Sequence, residues 1–197
     1  MGSEMCIRDR SYGLFEALSR YPGRAVIRFL STGFTTDVDK KSVYSGLVKD
    51  KLSPEIYGLG YYGNGNFTTT LPKADSEKYL EIWHTMFKRC YSKKVHETHK
   101  TYVGCSVSPE WHDFQNFASF CTLYRKDSWQ LDKDLLIKGN KIYGPDTCVW
   151  LPIEINSCIK TNKSRRGECL IGVKPSYLGN CYEAVSYTHL TLPTTPY

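Results

Sequence analysis

The chain has 197 residues, with 26 Lys and Arg against 20 Asp and Glu and a net charge of +6. At 41% hydrophobic content it can bury a core of one or two modest domains. No apolar run approaches the roughly 20 residues that cross a bilayer, which excludes a helical membrane protein.

In chain order, the two ends stand apart first. MGSEMCIRDR and VSYTHLTLPTTPY resemble translated sequencing-adapter read-through of the kind found at the edges of assembled environmental fragments. Residues 1–10 and 186–197 are therefore set aside as artefact, as any non-native segment would be. Residues 11–72 then form a small β unit. AVIRFLSTGFTTDVDKKSVYSGLVKD alternates apolar and polar around Ser31, Thr32 and Gly33, which predicts a hairpin over 25–48, or a small barrel built on it. YGLGYYGNGNFTTTLP crowds glycine and asparagine among tyrosines, and predicts tight turns or a mobile linker. Arg24, Arg28, Lys40, Lys41 and Lys49 are either a solvated face or a second contact with polyanions.

Residues 73–164 form the second unit. Tyr79, Ile82, Trp83, Met86, Phe87 and Cys90 recur at three- and four-residue steps, so a helix is expected, capped by Asp75 or Ser76. Its other face carries Lys88 and Arg89, with Lys93 and Lys94 beyond. A basic loop with His96, His99 and Lys100 leads to a second helix, for which Ser108 and Pro109 supply cap and first-turn proline and Trp111, Phe114, Phe117, Ala118, Cys121 and Tyr124 the buried stripe. His96 and His99 lack a third ligand at short spacing, which leaves them as loop histidines rather than a metal site. From 78 to 165 there are 14 Lys and Arg against 9 Asp and Glu, so most of the positive excess lies here. Clustered cations displace counterions from phosphates and aromatic faces stack on bases, which suits a polyanionic partner.

QLDKDLLIKGNKIYGPDTCVWLPIEIN comes next and is the most informative stretch. Trp129 to Leu136 alternates like a strand, Gly139 and Asn140 turn the chain, and Tyr143, Gly144 and Pro145 turn it again. Thr147 to Leu151 is apolar enough for a second strand, and Pro152 opens a helix carrying Asn156. The predicted order is strand, strand, helix. The 8 cysteines contain no CxxC pair, so no zinc is expected. Cys90, Cys121 and Cys148 fall at apolar positions and predict buried free thiols in a reducing compartment.

These residues resemble the ββα element of HNH nucleases. The resemblance implies Asp132 or Asp134 on the first strand, Asn140 in the loop and Asn156 on the helix. Asp132, Asp134 and Asn140 would then be catalytic, and a Mg²⁺ ion is possible on Asp132 or Asp134 with Asn156, placed to stabilise the leaving phosphate oxygen. The place of the family's base falls to Asp132 or Lys133, and no histidine lies between His112 and His189. An ionised aspartate is weakly basic and a lysine is protonated near neutrality, so hydrolysis is expected to be slow or absent unless His96, His99 or His112 is brought in from a distance. In the bland alternative the two aspartates cap turns or pair with Lys133, Lys138 and Lys141, and Asn156 caps its own helix.

A wider resemblance, over residues 76–158, is to tailed-phage proteins related to HNH homing endonucleases. It is carried by EIWHTMFKRCY, TYVGCSVSPEWHDFQNFASF and LDKDLLIKGNKIYGPDTCVWLP in that order. RRGECLIGVKPSYLGNCYEA resembles the opening strands of an ethylene-response-factor-type DNA-binding domain, truncated here to 165–185. The expectation is thus an α+β chain: a small β-barrel or hairpin unit, a two-helix plus ββα unit, and the start of a small β-sheet domain. The resemblance implies a double-stranded DNA partner gripped by Lys88, Arg89, Lys133, Lys138, Lys141, Arg165 and Arg166, chiefly through phosphates. It also implies a cytoplasmic location, the host cytoplasm for a phage gene. Binding without cleavage is favoured; a Mg-dependent endonuclease or nickase and a phage accessory protein-interaction module stay open.

Overall fold

The computed structural model describes residues 6–9, 12–137, 139–159, 173–175 and 182–184. Helices and strands are mixed along the chain, as expected for an α+β protein.

The first strands, β1 (Cys6–Asp9), β2 (Gly13–Tyr21), β3 (Arg24–Phe29) and β4 (Thr35–Asp39), form an antiparallel meander in sequence order, with β1 and β4 at its edges. Pleating sends Ala25, Ile27 and Phe29 inward and Arg24 and Arg28 outward. Gly33, at φ +73°, makes the turn from β3 to β4. The expected hairpin is thus present, but it is shorter than its predicted span. Strand β4 stops at Asp39 because the Asp39 carboxylate accepts the Ser42 N–H at 2.8 Å and caps helix α1 (Lys40–Ser45), which Gly46 closes at φ +62°. Strand β2 escaped the sequence pattern because a bulge between Ala17 and Ser19 breaks its two-residue period. Strand β1 lies in the stretch set aside as artefact, and its backbone pairs with β2 from Cys6↔Glu16 to Asp9↔Gly13. Phe15, Ile27, Phe29, Phe34, Val43 and Val48 form this unit's core.

The glycine-rich segment is packed structure rather than a linker. Ile56 bridges Gly60, and Tyr61 bridges Asp113. A Cβ on Gly60 would meet Phe87 and Trp83 ring carbons at 3.0 Å, so only glycine lets this backbone lie on those rings. A short helix, α2 (Phe67–Thr70), ends the segment.

Helix α3 (Lys73–Tyr91) begins before the expected cap. Pro72 precedes it without a side-chain cap, Asp75 sits in its first turn, and the Ser76 hydroxyl donates to the Lys73 carbonyl. Of its expected apolar stripe, Tyr79, Trp83, Met86, Phe87 and Cys90 are buried and Ile82 is partly so. The basic loop is in fact helix α4 (Lys93–Thr98) followed by a 3-10 turn at Lys100–Tyr102. Ser108 and Pro109 open a 3-10 turn, Pro109–Trp111, and the following helix α5 (Phe114–Tyr124) is capped instead by Asp113, which accepts the Gln115 N–H at 2.8 Å. Between α4 and α5, strand β5 (Ser106–Val107) pairs in parallel with β7 (Ile142–Tyr143). Strand β6 (Trp129–Asp132) pairs antiparallel with β8 (Val149–Pro152), from Trp129↔Pro152 to Asp132↔Val149, and α6 (Ile153–Ile159) follows. Strands β9 (Val173–Pro175) and β10 (Tyr182–Ala184) pair antiparallel.

Trp83, Phe87, Trp111, Phe114, Phe117, Cys121, Tyr143 and Trp150 belong to one aromatic-rich core beneath these elements. The Trp83 indole N–H donates to the Trp111 carbonyl at 2.8 Å, so the most buried tryptophan leaves no stranded donor. Among the described residues, no helix is long and apolar enough to cross a membrane.

Candidate nucleic-acid interface

Strand β6 ends earlier than its alternation predicts. Asp132 Oδ1 accepts the N–H groups of Asp134 and Leu135 at 2.8 and 2.9 Å, which turns the chain away from the ladder and leaves Leu135, Leu136 and Ile137 exposed. The turn carries Lys133 inward, where it is 7% exposed. Its ammonium donates to Asp134 Oδ1 at 2.5 Å and to the Asn140 carbonyl at 2.7 Å, 6.0 Å from the Tyr143 ring centroid. Asn140 is buried too. Its amide donates to the carbonyls of Lys133 and Ile142, and its Oδ1 accepts the Ile142 N–H at 2.9 Å, so one side chain ties both ends of the 133–142 loop.

Asn156, on α6 and 3% exposed, faces β6: its amide donates to Gln130 Oε1 at 2.9 Å. Its own Oδ1 is buried with no partner among the described residues. The antiparallel register of β6 and β8 thus brings Asp132, Lys133, Asp134 and Asn156 to one cleft of about 400 Å³, whose far wall is the Lys78–Arg89 face of α3. Tyr102, Trp129 and Trp150 are among the other lining residues. Two ion pairs neutralise much of its charge, Lys78 with Glu81 at 2.8 Å and Lys133 with Asp134 at 2.5 Å.

A second recess of about 460 Å³ adjoins the cleft and shares Thr85, Arg89 and Tyr102 with it. Lys88, Arg89, Lys94 and His99 line it, and among the described residues no acidic side chain does. The Arg89 guanidinium lies 5.5 Å from the Tyr102 ring centroid, so it is held between the two spaces. Lys88 comes from α3, Lys94 from the first turn of α4 and His99 from the residue that follows α4; the helix that sequence periodicity missed builds this recess.

The predicted site residues are therefore divided. Asp132, Lys133, Asp134, Asn156 and Arg89 meet in the cleft, with Asn140 bracing the loop behind it, and Lys88 lies in the recess. Lys133 is committed inward rather than presented to solvent. Lys141 donates to the Thr101 and Val103 carbonyls at 2.8 and 3.3 Å and anchors the 3-10 turn. Lys138, Arg165 and Arg166 lie outside the described residues. Gln130, Tyr102, Trp129 and Lys94 also line these spaces or brace them; only Lys94 had a signal, its place in a basic run.

Among the described residues, no histidine lines the cleft. His112 Nε2 lies 3.2 Å from the Val107 carbonyl and His96 Nε2 2.9 Å from the Arg89 carbonyl, so both rings are engaged by backbone; His99 alone reaches the adjoining recess. As a metal site the residues fit poorly. One Asp132 oxygen is used in the turn and one Asp134 oxygen is held by an ammonium, whose positive charge opposes a cation nearby. Among the described residues, no three His, Cys, Asp or Glu side chains gather as a metal-binding group. In the first unit, Arg24 pairs with Asp37 at 3.1 Å, Arg28 with Glu16, and Lys49 with Glu55 at 3.5 Å, which reduces their availability to a polyanion.

No protein-family model, no curated protein and no solved structure matches this chain.

Proposed function

We propose that the chain is a DNA-binding protein on a degenerate HNH-like scaffold, of phage origin, that binds its partner without efficient cleavage. The observation that carries this is the pairing of two spaces: a recess lined by three permanent cations and, among the described residues, no acid, beside a cleft lined by carboxylates and amides and, among the described residues, no imidazole. The recess suits phosphate, because no acid among the described residues lines it and each phosphate contact releases condensed counterions. The cleft lacks a group poised to take a proton from water near neutral pH.

A second reading, a Mg-dependent endonuclease or nickase, is favoured by the buried Asn156 Oδ1, an oxygen with no partner in the same cleft as Asp132 and Asp134. Divalent magnesium takes oxygen donors of this kind, but Lys133 stands against it.

The test is a mobility-shift titration of the full chain on duplex DNA over a salt series, beside supercoiled plasmid incubated with Mg²⁺ or Mn²⁺. Binding should weaken steeply with salt, and Lys88→Gln with Lys94→Gln should flatten the slope by about two. Salt-independent binding would count against the proposal. Nicking by the parent but not by Asp134→Ala or Asn156→Ala would replace it with the endonuclease reading.

A further inference from the structure

The two adjoining spaces differ in the chemistry they invite. In the cleft, ion pairing leaves a largely neutral lining with aromatic rings from Tyr102, Trp129 and Trp150, and its volume of about 400 Å³ is that of a small-ligand pocket. Two of its wall residues carry buried polar atoms with no hydrogen-bond partner, the Trp150 indole N–H and Asn156 Oδ1, on side chains 5% and 3% exposed. One is a donor and one an acceptor. Buried polar atoms are seldom left so, and both are closed off from solvent, so they mark this wall as polar without fixing the edge of a ligand. The recess is the opposite, cationic and without acid, and Arg89 belongs to both.

Resting on the DNA-binding reading, we propose that these two spaces together hold one nucleotide whose base is unpaired, the base in the cleft between the aromatic side chains and its phosphate in the recess at Lys88, Arg89 and Lys94. A paired base cannot enter, because its edge is already bonded to its complement and its faces to its neighbours; a base from a single strand, a bulge or a free nucleotide can. Trp129 supplies the stacking face. It is only partly buried, at the start of β6, with the Lys126 ammonium 5.0 Å from its ring centroid. The preference for unpaired nucleic acid thereby separates from the general affinity for phosphate.

The experiment measures binding of the full chain by fluorescence anisotropy to a labelled single strand, to the same sequence as a perfect duplex, and to that duplex with one bulged base, with dAMP and dTMP as competitors. The single strand and the bulged duplex should bind roughly tenfold tighter than the perfect duplex and quench tryptophan emission, one stacked base being worth about that factor. Trp129→Ala should bring the ratio near one, while Trp129→Phe, which keeps a stacking face, restores it; circular dichroism checks that both fold. Saturation by a mononucleotide at lower concentration than by the strand would support the pocket and assign it to free nucleotide. Equal affinity for single strand and perfect duplex overturns this inference and leaves duplex binding standing. Binding of neither overturns both.

Discussion

Lys133 shows how one residue can change meaning between chain and fold. In a basic stretch beside Asp132 and Asp134 it reads as a phosphate grip or as the occupant of a lost base position; in the structure its ammonium is buried and donates to Asp134 and to the Asn140 carbonyl. A buried cation survives where donors and acceptors are matched, and here the main-chain oxygen is the buried partner, since Asp134 is half exposed. Lys133→Met keeps the length and loses that donor. The Asn140 carbonyl is then left without it, and the unfolding free energy should fall by about 1–3 kcal/mol in urea melts. Loss of DNA affinity beyond that expected from destabilisation would show that Lys133 contacts phosphate after all. Asn140 was legible from its chain position as a loop residue, whereas the bond that holds Asn156 was not, because Gln130 lies 26 residues away in the chain and nothing local links them.

At the scale of elements, periodic stripes were well legible and boundaries were not. Tyr79, Trp83, Met86, Phe87 and Cys90 are buried together because a helix of 3.6 residues per turn puts them on one face, whatever packs there. The ends moved because side chains other than those nearest the pattern supplied the caps: Asp39 stopped a strand by starting a helix, and Asp113 rather than Ser108 began α5. The glycine-rich segment illustrates the same limit. Its composition is that of a linker, yet Gly60 is where the backbone meets the faces of Trp83 and Phe87. Gly60→Ala places a methyl at 3.0 Å from those rings, which are themselves fully buried and unable to yield. We expect destabilisation of about 1–3 kcal/mol from overpacking, read as a lower thermal midpoint, whereas Gly58→Ala meets no neighbour and its cost comes from φ +71° alone. An unchanged midpoint for Gly60→Ala would mean that the segment is not clamped on α3.

Over the whole molecule, two cores lie in sequence, one under the β1–β4 meander and one under α3, α5 and the β6–β8 pair. They are joined where Gly63 donates its N–H to the Lys51 carbonyl at 2.9 Å and where the Lys49 ammonium lies 3.9 Å from the Tyr62 ring centroid. The second core holds Cys90, Cys105, Cys121 and Cys148 as buried free thiols. Burial, the largest cause, pushes Cys90 up to about 12 and Cys148 up to about 11. A thiol whose pKa is raised on folding stabilises the native state fully below the unfolded value of about 8.5, and that contribution is lost as pH rises through 11 and 12. Stability should therefore decline in alkali from about pH 8.5 upward. At neutral pH iodoacetamide should leave Cys90, Cys105, Cys121 and Cys148 unmodified in peptide mass maps until denaturant unfolds the core. Rapid modification of Cys90 in the native protein would contradict the burial described here.

The sequence by itself determined the α+β class, most of the buried face of α3 and that of α5 as far as Cys121, the β3–β4 turn at Gly33 and the succession of β6, β8 and α6, though not β7 between them or the exposure of Tyr124, because each depends on local period or on a conformation only a few residues adopt. Only tertiary structure decided that Asp132, Lys133, Asp134, Asn156 and Arg89 share a cleft and that Lys88, Lys94 and His99 line an acid-free recess beside it. Those neighbourhoods depend on the β6–β8 register and on the packing of α3 against it, and contacts between residues far apart in the chain leave no trace in its local pattern.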